Sequence, residues 1–139
     1  MAYEASNGAG VPHADGYDDL LDKLKTFLTT NSTLVADSEE WTVEDDEIDG
    51  DVRNVYLSGP GLTGTDSIHV NIQRMAPQVA TNAYNWHVRG STSYDDTKSF
   101  TEQPNISRDQ YFSLSQAGVP IQYWFFANGR RFMIVAKIS

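Results

Sequence analysis

The 139-residue sequence contains no cysteine. That excludes a disulfide framework, a thiol nucleophile and a thiolate metal site, and it leaves the redox compartment unread. No apolar run approaches the roughly twenty residues that span a bilayer. Basic residues are scarce: ten Lys and Arg stand against nineteen Asp and Glu, a formal charge of -9. Without a basic face the chain is not expected to bind nucleic acid directly, and an anionic membrane surface would repel it. The first sixteen residues have neither a basic n-region nor an apolar h-region, so they do not read as a secretory signal. Two catalytic signatures are missing as well, the G-x-S-x-G nucleophile elbow and the H-E-x-x-H zinc motif.

What is present suits one domain with one core: 40% hydrophobic and 21% charged residues, an ordinary balance for a globular chain of this size. Residues 1–15, rich in glycine and with little to pack, read as a flexible N-terminal arm. Residues 16–139 read as a single domain. Asp15 is a helix N-cap candidate, with Asp18 and Asp19 in the first turn where the helix dipole favours negative charge. Tyr17, Leu20, Leu21, Leu24, Phe27 and Leu28 then draw one apolar stripe at helical spacing, and the Thr29–Thr33 run ends it.

Beyond this helix the period changes to two. Asp51–Ser58 is a blurred strand. Ser67–Arg74 alternates cleanly, with Ile68, Val70 and Ile72 opposite His69, Asn71 and Gln73. Asn82–Arg89 does the same, with Tyr84, Trp86 and Val88 opposite Asn85, His87 and Arg89. Such strands cover a core on one face and meet water or a partner on the other. Ile121–Phe126 and Arg131–Ile138 flank Asn128-Gly129, a hairpin signal predicting a type I′ turn. Both hairpin arms are apolar on each face, so the ribbon is expected to be buried on two sides, within one subunit or between subunits. A helix followed by antiparallel strands predicts an α+β domain, with one N-terminal amphipathic helix packed on a mainly antiparallel sheet of about five strands. Ser91–Val119 is a polar excursion. The last apolar strand runs to Ser139, so it is either the final strand of the sheet or the front part of a longer polypeptide.

Several motifs have plainer accounts. Gly59-Pro60-Gly61-Leu62-Thr63-Gly64 matches G-x-G-x-x-G, but a strand follows where the dinucleotide fingerprint needs a helix, which favours a glycine-rich connection. Asp37–Asp51 holds nine acids in fifteen residues. Placing Asp45 at position one imitates a calcium loop, yet position twelve is then Tyr56 instead of a bidentate Glu. A solvated acidic loop is the favoured account. A second account is an acidic patch of Asp45, Asp46, Glu47 and Asp49 that pairs with a basic surface on another subunit. Carboxylates on a soft loop are poor candidates for hydrolase chemistry. His69 and His87 would face each other if their strands pair, but two imidazoles make a poor metal site, and exposed histidines on the polar faces are the expected account. No metal or cofactor is expected. Trp41, Trp86 and Trp124 could make a sugar-stacking platform, but such residues more often fill a small β core or an interface, and Trp86, on one face with Tyr84 and Val88, reads as core.

The hairpin Tyr123-Trp124-Phe125-Phe126-Ala127-Asn128-Gly129-Arg130-Arg131-Phe132 resembles a group of virion structural proteins of tailed bacteriophages. These proteins share an aromatic strand, an A-N-G-R-R-F turn and an apolar strand ending in A-K. Tyr56–Gly61, Asp66–Val70 and Trp86–Gly90 extend the resemblance over Asp51–Ser139. Members of the group often continue past the position of Ser139. The resemblance implies a non-enzymatic structural subunit of the particle, in a neck, collar, tail or baseplate assembly. Such a subunit is put together in the host cytoplasm from copies of itself and other virion proteins. It implies no catalytic residues. Trp124, Phe126, Arg130, Arg131 and Phe132 are the expected subunit contacts. The alternative is a carbohydrate-binding module for host-surface recognition.

Overall fold

The computed structural model describes residues 1–61, 66–75, 85–114 and 118–137. Its elements in chain order are β1 (Ala2–Ala5), β2 (Ala14–Asp15), α1 (Gly16–Thr30), α2 (Ser32–Ala36), β3 (Thr42–Asp49), β4 (Val52–Gly59), β5 (Ile68–Met75), β6 (Trp86–Ser91), β7 (Gln110–Phe112), β8 (Pro120–Asn128) and β9 (Arg131–Lys137). The α+β class is as expected. The sheet, however, is two sheets. One is a five-stranded antiparallel meander, β3-β4-β5-β6-β7, and the other has β8 at its centre with β1, β2 and β9 along its sides.

The expected stripe does bury α1: Leu20, Leu21, Leu24, Phe27 and Leu28 are enclosed. Asp15 precedes the helix without a side-chain cap bond; its own N–H donates to Asp19 Oδ2 at 2.8 Å. The helix halts at Thr30, and α2 follows at once because Asn31 Oδ1 accepts from the Thr33 and Leu34 amides, satisfying N-terminal donors that would otherwise be orphaned. One core joins α1 to the inner faces of both sheets, through Val55, Leu57, Ile72 and Trp86 on one side and Ile121, Tyr123 and Phe125 on the other. Phe27 meets Phe125 with ring centroids 5.5 Å apart. Trp86, read as core, is fully enclosed and donates its indole N–H to Tyr17 O at 3.0 Å. Tyr84, read on the same face, lies outside the described residues, as do Leu62, Thr63, Gly64 and Ile138.

Two expectations are corrected. The start of the chain is not an unpacked arm: β1 pairs antiparallel with β8, from Ala2 opposite Ala127 to Ala5 opposite Trp124. Ala2 and Ser6 are buried, and Ser6 Oγ accepts from the Tyr123 amide. The small Ala and Ser side chains that look unable to pack let this strand lie close against the large rings of β8. The acidic segment is not a loop either. It is β3, an edge strand running from Thr42 opposite Ser58 to Asp49 opposite Val52. Charged side chains on an edge discourage unwanted strand pairing, so acids there are compatible with a sheet. Gly50, at φ +60°, takes the first central place of its two-residue turn, as type II′ hairpins require.

The Asn-Gly hairpin forms, but with a different turn. Asn128 is opposite Arg131, so Gly129 and Arg130 are the central residues, and neither has positive φ. The turn is instead held by Asn128 Oδ1, which accepts from the Arg130 and Arg131 amides at 3.0 and 3.2 Å, an Asx turn. Gly129 is needed for close approach: a Cβ there would lie 2.5 Å from Gly61 O. The Gly61 amide donates to Gly129 O at 2.7 Å. The glycine-rich stretch is therefore a seam between the two sheets.

Candidate functional site

Three surfaces gather the residues singled out by the sequence. The first is the outer face of the β8 sheet. Strand alternation sends Tyr123, Phe125 and Ala127 inward, where they are buried, and Trp124 and Phe126 outward, where they are half-buried. Register sets Tyr3, Phe126 and Met133 in one row across three strands, and Ala5, Trp124 and Val135 in the next. Tyr3 is 55% exposed and Met133 57%, and Val135 is also exposed. The Tyr3 and Phe126 ring centroids are 5.1 Å apart. The ribbon is thus covered on one face by its own protomer and left open on the other. Phe132 belongs to the inner side and meets the Trp41 ring edge-on at 5.1 Å.

The second is the acidic strand. From Asp45 onward the alternation of β3 places Asp45, Glu47 and Asp49 on one face and Asp46 and Ile48 on the other. Asp46 is not part of a solvated patch. Arg53 Nε and Nη2 donate to its two oxygens at 2.9 and 2.8 Å, and Lys25 pairs with it as well. Arg53, whose side chain is 6% exposed, also reaches Asp22 at 2.7 Å and Asp18 at 3.2 Å, and Asp18 accepts from Arg74 at 2.8 Å. The fork of Arg53 suits this planar two-oxygen recognition. The arrangement ties α1 to β3, β4 and β5.

The bonded Arg53 guanidinium holds the Asp46 carboxyl down at about 2, against an ordinary 3.8; burial opposes this and Lys25 adds to it. A carboxyl whose folded value is lowered stabilises the fold fully above its unfolded value, and that contribution is lost as pH falls through the folded one. Stability should therefore drop between about pH 4 and pH 2, and Asp46→Asn should flatten that limb in acid denaturation followed by circular dichroism.

On the opposite face of the meander, the polar excursion folds back as a cover. Tyr94 and Phe100 lie against Tyr56, with centroids 4.9 and 6.4 Å away. The Tyr94 hydroxyl donates to Asp45 and is pushed up to about 12 by burial and that carboxylate. His87 Nδ1 and Asp109 Oδ2 are 2.6 Å apart. His69 stands opposite Ser91, and His87 opposite Gln73, so the two imidazoles share a face without meeting. They are half-buried beneath the cover, not exposed. Among the described residues no three acids or histidines converge as a metal site.

The third is a cleft of about 300 Å³ between the Gly59–Ile68 end of the meander and the hairpin tip. Trp41, Ile68, Val70, Val88 and Phe132 line it, with Arg130 and Arg131 also on its wall. Both arginines are exposed, and among the described residues neither is in an ion pair. Sequence patterning missed this cleft because its walls come from strands whose neighbours were not legible. The one available signal was the surplus of apolar residues over what a single helix can cover.

Compared with known proteins, the chain matches no family model and no curated sequence. The class of protein is therefore defined by its own geometry: a two-sheet α+β domain with an apolar outer sheet face and an arginine-flanked cleft.

Proposed function

We propose that this chain is a non-enzymatic structural subunit of a bacteriophage particle, in the neck, collar or tail assembly. It would work through contacts with copies of itself and other virion proteins. The observation that carries the reading is the exposed outer face formed by Tyr3, Trp124, Phe126, Met133 and Val135. Contiguous apolar surface on a soluble domain marks an interaction site, and its aromatic content suits an interface centre. The bacteriophage assignment rests on the resemblance of the hairpin sequence. The carbohydrate-binding alternative is weakened, because Trp41 and Trp86 are enclosed and their indole N–H groups donate to Asn128 O and Tyr17 O. Only Trp124 keeps a partly open ring.

Light scattering on the purified chain should show oligomers, and the chain should occur in fixed copy number in the protein inventory of a particle. Met133→Asp, on the exposed side of β9, should reduce association while leaving the unfolding free energy within about 0.5 kcal/mol of the parent. A compact monomer that binds no particle component would overturn the proposal.

A further inference from the structure

The sheet around β8 ends on one flank at β9, and this edge differs from every other sheet edge among the described residues. β1, β2 and β7 are four, two and three residues long. β3 is longer, but its register shifts between Val43 and Asp45, and it carries Glu44, Asp45, Asp46, Glu47 and Asp49. Short length, charge and a bulge are the usual guards against pairing between sheet edges. β9 has none of them. Its seven residues keep an unbroken register with β8, and Phe132–Ala136 contains no charge, proline or glycine.

The backbone of this edge is open as well. The Tyr123 amide donates to Ser6 Oγ and the Ser6 amide donates to Tyr123 O, so the backbone groups of Tyr123 face β1. Along an antiparallel strand that direction alternates from residue to residue. β8 therefore bonds β9 through Gln122, Trp124, Phe126 and Asn128, whose partners are Lys137, Val135, Met133 and Arg131. The N–H and C=O groups of Phe132, Ile134 and Ala136 point the other way, where no described strand lies. Burial falls off at the same flank. Tyr123, Phe125 and Ala127 of β8 are at most 1% exposed, whereas Phe132, Ile134 and Ala136, on the same side of the sheet, are only half-buried.

A row of open donors and acceptors beside apolar side chains fits an extended strand, and the strand that joins it must itself be unguarded. Among the described strands of this chain, β9 alone meets that condition. We infer that β9 pairs antiparallel with β9 of a second copy, joining two β8 sheets into one across a two-fold axis. The inference rests on the reading of the chain as an assembling subunit and names the contact between copies. Centring the pair on Ile134 would set Arg131 opposite Lys137, and like charges directly opposed destabilise a strand pair. Centring it on Met133 or Val135 avoids this. The outer row of Tyr3, Phe126 and Met133, or that of Ala5, Trp124 and Val135, then continues into its counterpart. Such an isologous contact closes at two copies, and the outer face stays free for other virion proteins.

Amide hydrogen exchange read by NMR tests the pairing on the unmodified chain. As concentration rises through the dimerisation range, the amides of Phe132, Ile134 and Ala136 should slow at least about tenfold, with no such slowing in β3 or β7. The absence of native cysteine allows a second test. Under mild oxidation, Met133→Cys or Val135→Cys should form a disulfide-linked dimer, because directly opposed residues lie within bridging distance. Tyr3→Cys, similarly exposed but away from the edge, should not. In sedimentation velocity, Ile134→Pro removes an outward N–H and should weaken dimerisation at least about tenfold. Val135→Lys, at an exposed position, should do the same without touching the core. Oligomers that persist in Val135→Lys, with no such crosslink and no slowing in β9, would overturn the inference and leave the subunit reading standing, as would a monomer that binds particle components. A wild-type chain that stays monomeric and binds no particle component would overturn both.

Discussion

Arg53→Ala is expected to be among the most damaging single substitutions, lowering the unfolding free energy by about 3 kcal/mol. The guanidinium is enclosed and holds Asp46 by two bonds. Its removal leaves a largely buried carboxylate with Lys25 as its remaining cation. Removing one partner of a buried pair costs more than the pair contributes, because the desolvated charge stays behind. Asp18 and Asp22 are about half exposed, so their share is screened by water and adds little. Arg53→Lys keeps the charge but loses the two-pronged geometry and should fall in between. Arg53→Met combined with Asp46→Asn should recover part of the loss. Urea denaturation of the three variants distinguishes the cases. A loss below about 1 kcal/mol for Arg53→Ala would mean that the arrangement is effectively solvated.

Gly59→Ala should cost a similar amount, about 3 kcal/mol, for a different reason. The added methyl would meet Gly129 O and the Trp41 ring, both at 2.7 Å. Neither can retreat easily. Gly129 is bonded to Gly61, and Trp41 is buried with its indole N–H donating to Asn128 O at 2.8 Å. Gly50→Ala is the informative comparison. There a methyl meets nothing within 4 Å, but φ is +60°, so only the backbone penalty of about 1 kcal/mol applies. Thermal unfolding should therefore rank Gly59→Ala well below Gly50→Ala. Equal losses would show that the seam between the sheets has slack.

The parts of the fold legible in the sequence were those whose pattern has a single physical cause. The stripe of α1 needs only helical geometry. The alternation of β5 needs only one covered face. The apolar arms around Asn128-Gly129 mark a hairpin whatever turn is used. What escaped depended on partners distant in the chain. Four residues of β1 carry no period, and their pairing is dictated by β8. The β3 strand is masked by acids because on an edge strand one face answers to solvent and the other to Arg53, which the spacing of acids alone does not reveal. Reading Asp45, Asp46, Glu47 and Asp49 as one patch failed for the same reason: alternation splits them, and Asp46 is committed to the interior. Among the five residues expected at subunit contacts, Trp124 and Phe126 lie on the open face, Arg130 and Arg131 flank the cleft, and Phe132 turns inward onto Trp41.

The pairing of β1 with β8 also bears on how the molecule is made. The bond from the Tyr123 amide to Ser6 Oγ spans 117 positions, and that from the Tyr123 hydroxyl to Glu4 spans 119. Such distant closures come late, after local hairpins have formed. As the polypeptide emerges from a ribosome, the meander can zip up strand by strand while the opening residues wait for β8. A nascent chain stalled before Pro120 would accordingly expose residues 1–6 to proteases, and synthesis of β8 would hide them.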